Sequence, residues 1–449
     1  MKRKLLTFGV AGLVVLLVAS VCLAEIEFSV DGWFRARSHL VMNPDLVKGG
    51  PERSYTDQRL ILNPVLKISD AIHVKARIRA LDYIWGHNTV PGLTWPEMID
   101  ETETATNQGE GGSNNFQWDR AWVHIFLGKY GSLQIGRQKT DLYYNYAIAE
   151  DDTYPRYHYI TPVFHPGGPD NNLLFGIFYD KRSEGDVDLV ADVIVAPPAG
   201  IGIRANDSFT WSPWVHFWNP NLTAGGGIFI WDWAGIGPAG ESSNWIQFYG
   251  MIYAKIRPVE IKGEFDYLTG KAIGGWDDVE HAFSFFVDAS VPVEASAYID
   301  RAAVVVALFQ GAKEPKAGVA YGSLPANEDW MDDWKIDIIL WDQIVGGISN
   351  AWIIRPKIDF VVPDTKWGGY LSACMSFADQ EAQYNPGPLP LTTGTEKSIG
   401  TELDLGINYT LGPRQTIEAV VGIFMPGKYF DEANQDTSFG AALKTHIKF

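Results

Sequence analysis

Cysteine is almost missing from this 449-residue chain, which holds Cys22 and Cys374 and no others. If the first 24 residues are a leader, Cys374 stands alone and no intramolecular disulfide is available, so packing and the backbone ladder must hold the fold. Catalytic signatures are lacking too. There is no HExxH, GxSxG or Cys-x-x-Cys, and the nine histidines are isolated, with no motif setting a nucleophile beside them. Gly235-Ile-Gly-Pro-Ala-Gly240 fits GxGxxG, but it sits in a Trp-rich stretch, contains proline and is followed by no helical pattern, so it reads as a Gly-rich turn. No cofactor pattern emerges. Cations are in the minority, 36 Lys and Arg against 54 Asp and Glu, and the net charge of −18 argues against nucleic acid as a partner. After residue 24 no second apolar run of helical membrane length follows. Repeats, heptads, low-complexity tracts and linkers are also lacking, so residues 25–449 read as one domain.

What is present points elsewhere. Lys2, Arg3 and Lys4 precede an apolar run from Leu5 to Leu23 that ends in Cys22-Leu23-Ala24, the pattern of a secretory signal with the mature start at Glu25. At the other end, Phe449, Ile447, Thr445, Leu443, Ala441 and Phe439 share one side of a strand, and Lys448, His446, Lys444 and Ala442 share the other. A chain that stops in mid-strand on an aromatic residue suits a membrane β-barrel, whose last strand pairs with its first and leaves no edge in lipid. An ordinary terminal strand of a sandwich is the alternative. The 17 Trp, 19 Tyr and 23 Phe fit aromatic girdles, and the 45 Gly fit strand bends and turns.

Alternation of period 2 recurs along the chain. Ile26, Phe28, Val30, Phe34 and Ala36 oppose Glu27, Asp31, Trp33, Arg35 and Arg37; Leu60, Leu62, Leu66 and Ile68 oppose Arg59, Asn63 and Lys67; Ile72, Val74, Ala76, Ile78 and Ala80 oppose His73, Lys75, Arg77 and Arg79. Pro64 falls on the apolar side as a local distortion. Connections alternate long and short, as in outer-membrane barrels with short periplasmic turns and long outer loops. Hairpins are expected at Asn219-Pro220-Asn221, at Arg257-Pro258 and at Pro363 to Lys366, whereas Glu280 to Gly322 has too little periodicity to place its strands. The Trp-rich segment Trp211 to Trp233 suits an interfacial girdle, with a sugar-stacking platform as the alternative. The count that fits is sixteen to eighteen strands at roughly 24 to 27 residues per strand and connection.

The faces opposite the apolar ones are basic: Arg35 and Arg37, then Arg59 and Lys67, then Lys75, Arg77 and Arg79, then Arg120, and in a closed barrel Lys444, His446 and Lys448 beside the first strand. Arg or Lys facing hydrocarbon at the midplane costs about 2 to 4 kcal/mol, so these residues must face water. A cationic wall selects anions by its field and by guanidinium contacts with carboxylate or phosphate. The alternative is that these cations pair with Glu27, Asp31, Glu402 and Asp404 and merely stiffen the wall.

The last 53 residues resemble a known family. Lys397 to Leu411, Val420 to Phe430 and the closing AALKTHIKF are similar to the C-terminal signature of the alginate-export family of outer-membrane barrels: a Gly-Thr-Glu-Leu/Val-Asp strand, a Gly, aromatic, Pro/Ala-Gly strand end, and a strand finishing in Phe. Gly400, Thr401, Glu402, Leu403, Asp404, Gly422, Phe424, Pro426, Gly427 and Phe449 take those places. Arg59 to Asp82 and Arg120 to Gln138 are similar to early hairpins of such barrels and of porins in general; the stretch from Pro197 to Leu340 carries no such likeness. The resemblance implies an eighteen-stranded barrel with a basic lumen that passes an anionic solute or polymer. It also implies outer-membrane lipid around the barrel and a barrel-assembly machinery that reads Phe449. By the same resemblance to porins, the loop Asp141 to Asn171 is a candidate constriction, an outward surface loop being the alternative. The expectation is therefore an all-β outer-membrane channel, with an outer-membrane enzyme or a carbohydrate-binding surface protein as competing classes.

Overall fold

A computed structural model describes residues 26–84, 116–139, 153–183, 208–233, 243–271, 281–310, 337–345, 350–380 and 396–449. These form eighteen antiparallel strands in one sheet. In chain order they are β1 Glu27–Met42, β2 Glu52–Ser69, β3 Ile72–Ile84, β4 Phe116–Phe126, β5 Ser132–Lys139, β6 Thr153–Ile160, β7 Asn172–Ser183, β8 Ser208–Trp218 and β9 Leu222–Trp233. They continue as β10 Ser243–Ile256, β11 Val259–Lys271, β12 His281–Pro292, β13 Ile299–Phe309, β14 Ala351–Val361, β15 Trp367–Ala378, β16 Ser398–Gly412, β17 Gln415–Pro426 and β18 Ser438–Lys448. Each strand pairs with its sequence neighbours, and β1 pairs with both β2 and β18, from Trp33 opposite Lys448 to Met42 opposite Phe439. The sheet is thus a closed barrel without an open seam, which removes the edge that an unpaired strand would expose.

Closure is completed at the last residue. The Phe449 amide donates to the Gly32 carbonyl at 3.0 Å and the Gly32 amide to the Phe449 carbonyl at 3.2 Å. The aromatic ring covers Gly32, whose missing side chain leaves the space for it. Connections at this end of the barrel are short, such as Ser69 to Ile72, Ile256 to Val259 and Gly412 to Gln415; those at the other end are long. At Asn219 the side-chain oxygen accepts from the amides of Asn221 and Leu222 at 2.9 and 2.8 Å, an Asx turn that fixes the β8–β9 hairpin. Pro64 lies opposite Val30, and the β2–β3 pairing skips Asn63 and Pro64 without a change of register, because proline has no amide to donate.

One side of most strands is an apolar outer surface. Leu40, Met42, Trp118, Phe175, Trp211, Ile252, Phe265, Leu371, Leu403, Leu405, Ile407, Val421, Phe439 and Leu443 are all exposed on it. Such a continuous exposed apolar band is foreign to a water-soluble surface and suits hydrocarbon. The other side is the interior, since one cluster joins Val41 of β1 to Phe286 of β12 and Phe424 of β17, side chains that meet only across the inside of the ring.

Two elements differ from the sequence-based expectation. Residues 153–160, expected within the long loop 141–171, form β6, and 161–171 is a connection at the short-turn end. The remainder of that candidate constriction loop, residues 141–152, lies outside the described residues, as do the leader, Gly235 to Gly240 and a strand expected at Val187 to Ala196. The Trp-rich hairpin is two-sided. Trp211 faces out and is exposed, whereas Trp214 is buried on the inner side, packed with Phe178, Phe229 and Tyr249, with the half-buried Trp218 against them. An interfacial girdle therefore accounts for half of that hairpin.

Candidate functional site

The register sets every cation of the expected wall on the inner face. Arg35 stands between Arg59 of β2 and His446 of β18, and Arg37 between Asp57 and Lys444. Lys75 and Arg77 of β3 stand opposite Trp122 and Arg120 of β4, and Arg79 of β3 opposite Ile61 of β2. Lys67 and Lys448 lie towards the short-turn rim, where Lys448 is level with Trp33 and His446 meets the Trp33 ring edge-on at 5.5 Å.

Pairing varies along this wall. The row Asp57–Arg37–Lys444 continues to Glu418 of β17, so two cations are flanked by two carboxylates, and Arg37 reaches Asp57 at 3.0 Å while Lys444 reaches Glu418 at 3.1 Å. His39 adds a third contact to Asp57 at 3.0 Å. One step down, Arg59, Arg35 and His446 stand side by side in register, and Arg35 also lies within electrostatic reach of Asp57. On β4 a bulge brings Asp119 inward, and that single carboxylate is shared by Arg77 at 3.2 Å and Arg120 at 3.7 Å. Lys67 reaches Glu27 at 3.5 Å and Asp70 at 3.1 Å, both exposed contacts worth little in water. Asp31 takes a hydrogen bond from Asn63 at 2.8 Å. The wall therefore gathers many cations on one inner face, several of them in ion pairs. Arg35 and Arg37 are packed into it, each 4% exposed, while the Arg77 and Arg120 side chains retain 20% and 16%.

Across the ring the charge is mixed. In a circle of eighteen strands β1 faces β10, and the inner side there carries Glu260, Glu264, Asp266 and Asp288 together with Lys255, Lys262 and Arg301, which reaches Asp288 at 3.6 Å. Gln247 of β10 donates to Asp266 at 3.0 Å.

Further features had no readable signal in the sequence. Arg156 of β6 and Asp180 of β7 form a two-armed ion pair at 2.6 and 2.7 Å, both side chains buried, with the guanidinium 3.8 Å over the Phe178 ring. His158 accepts from the Trp214 indole at 3.0 Å.

The family-signature residues do not join the basic wall. Glu402 and Asp404 face inward on β16 and are 0% and 1% exposed, covered by a segment from the long connection between β13 and β14. That segment, Asp337 to Ile344, ends in a π-helical turn, Leu340–Val345, and folds inside the barrel. Glu402 accepts the amides of Ile338, Ile339 and Leu340 at 2.9, 2.8 and 2.8 Å, and Asp337 accepts that of Trp341 at 3.0 Å. Hydrogen bonds of this kind contribute about 0.5–1.5 kcal/mol each net. The alternative in which Glu402 pairs with the basic strands is thus replaced by its contact with an inward-folded segment. Gly400 has φ +148 and lies against the Phe424 ring; Gly427 donates to Ile399 at 2.7 Å. Among the described residues no cluster of three or more metal-ligating side chains forms.

No sequence-family model and no curated protein sequence matches the chain. In fold it is similar to an anion-selective porin from Comamonas acidovorans (12% identity, 95% of this chain and 100% of that one, TM-score 0.43). It is similar also to OccK11 (OpdR) of Pseudomonas aeruginosa (9%, 94% and 96%, TM-score 0.48) and to OmpF of Salmonella typhi in complex with daunomycin (11%, 94% and 97%, TM-score 0.42).

Proposed function

We propose that residues 25–449, released from a cleaved leader at 1–24, are a single outer-membrane barrel that works as a porin-like channel preferring anionic solutes, small or polymeric. The observation that carries this is the division of faces in a closed ladder: an apolar surface outside, and charged side chains inside on the same strands. Closure satisfies every strand edge in lipid, and the inner charges require water, so an aqueous path follows from the same geometry.

Anion preference is supported by the row Arg59–Arg35–His446, by two arginines sharing Asp119, and by Lys75, whose inner-face neighbour in register is Trp122. The opposite wall mixes both signs, so the basic β1–β4 side is the part of the lumen expected to attract anions. Purified protein in a planar bilayer is the test. Stepwise conductance is expected, with a reversal potential under a salt gradient shifted towards the anion equilibrium potential, most strongly at low salt. A membrane that shows no conductance steps after insertion of heat-modifiable barrel would remove the channel reading.

A further inference from the structure

The segment Asp337 to Ile344 is held by several features of the wall. Three consecutive amides, those of Ile338, Ile339 and Leu340, converge on one carboxylate, Glu402. Each side needs the other. Buried amides at the start of a helical turn have no partner within the turn, and a buried carboxylate without donors is costly. Trp341 adds an indole hydrogen bond to Ser376 of β15 at 3.2 Å.

Shape matches the polar anchor. Gly422 of β17 and Gly440 of β18 are opposite each other in register and both face inward. A Cβ on Gly422 would lie 3.1 Å from an Ile338 side-chain carbon, and one on Gly440 would lie 2.7 Å from an Ile339 side-chain carbon. Two neighbouring inner-face positions without side chains therefore leave a hollow that the two isoleucines fill. The isoleucines, Leu340, Trp341 and Ile344 then share a buried cluster with Ile353, Cys374, Val420 and Phe424.

We propose that Glu402, Gly422 and Gly440 form a socket that keeps Asp337 to Ile344 docked inside the barrel, and that this docking sets the effective width of the channel. The geometry of the socket stands by itself; its consequence for width rests on the channel reading above. Signature positions on β16 and β17 thereby acquire a role in shaping the lumen instead of lining it with charge.

Cys374 supplies a reporter. It is 1% exposed, faces inward opposite Glu402 on the neighbouring strand, and belongs to the cluster that the segment completes. In a Cys22→Ser background, the rate at which a hydrophilic maleimide labels folded, heat-modifiable protein is compared between the parent, Glu402→Gln, and Ile338→Ser/Ile339→Ser. The last variant alters only the segment and leaves every ladder bond in place, so it answers even if Glu402→Gln fails to assemble. The parent thiol should stay protected, and both variants should label roughly tenfold faster or more, with larger unitary conductance in the same preparations. Equal labelling in parent and folded variants overturns the socket. Faster labelling with unchanged unitary conductance overturns its role in width. If the parent conducts nothing, the channel reading falls and the thiol alone decides the socket.

Discussion

The inner faces of β1–β4 and of β14–β18 share one ladder and one period-2 alternation, yet they meet different surroundings. On β1–β4 the inward side chains are cations in shared or partial ion pairs, and Arg77 and Arg120 keep part of their surface exposed. On β14–β18 the inward side chains include Ile353, Cys374, Glu402, Val420 and Phe424, all at 1% exposure or less, beneath a docked segment. Alternation decides which side chains point inward. It does not decide whether the inside is water or protein. The barrel thus has a polar arc held by charge pairing and a packed arc held by close contact, and the two should fail differently.

The sharpest difference is expected where charge is buried. Asp180→Ala leaves Arg156 buried without its two-armed partner, and removing one member of a buried pair costs about 3–5 kcal/mol. Denaturant unfolding in detergent, followed by loss of heat modifiability, should show a loss of that size; a variant as stable as the parent would mean that this buried pair on β6 and β7, between the two arcs, is not a prop of the barrel. Where the arcs join, Phe449→Ser removes the ring that covers Gly32 at the β1–β18 seam. The expected outcome is several-fold less assembled barrel in the outer membrane with unaltered conductance per assembled channel, because the closing seam loses its covering ring. Normal levels of heat-modifiable protein would speak against that role. The smallest effect belongs to the packed arc. Ile353→Val removes one methylene group from a fully buried site and should cost about 0.5–1.5 kcal/mol. A much larger loss would indicate that the segment leaves with it, and Cys374 labelling would then rise in parallel.

Much of the barrel was legible because period-2 alternation with charge on one side is a strong pattern. It located β1 to β3 and the hairpins at Asn219 to Asn221, Arg257-Pro258 and Pro363 to Lys366, and the terminal Phe449 announced closure. The strand β6 was hidden because Thr153 to Ile160 has Pro155, Tyr157 and Tyr159 on its outer side, residues that resemble loop sequence until pairing with β5 and β7 is seen. For the same reason Trp214 was grouped with Trp211, although their places in the strand put them on opposite faces. The socket was not legible at all. Glu402 bonds to amides 62 to 64 residues earlier, in a stretch without periodicity, and the Gly422 and Gly440 hollow exists only once β17 and β18 are in register. Family likeness marked Glu402 and Gly422 without revealing what they hold.

The central claim is that the polar arc gives the lumen its preference for anions, and Lys75, Arg77 and Arg79 together test it most directly. They stand at alternate positions on the inner face of β3, with Arg77 sharing Asp119 with Arg120. At an effective dielectric near 20, one unit charge about 4 Å away is worth roughly 4 kcal/mol before screening. Salt reduces this in a wide pore. Replacing all three by Gln should move the reversal potential towards cation preference, most clearly at low salt, while the barrel stays heat-modifiable. An unchanged permeability ratio in a fully assembled triple variant would contradict the account and leave a nonselective pore whose basic wall only stiffens the barrel.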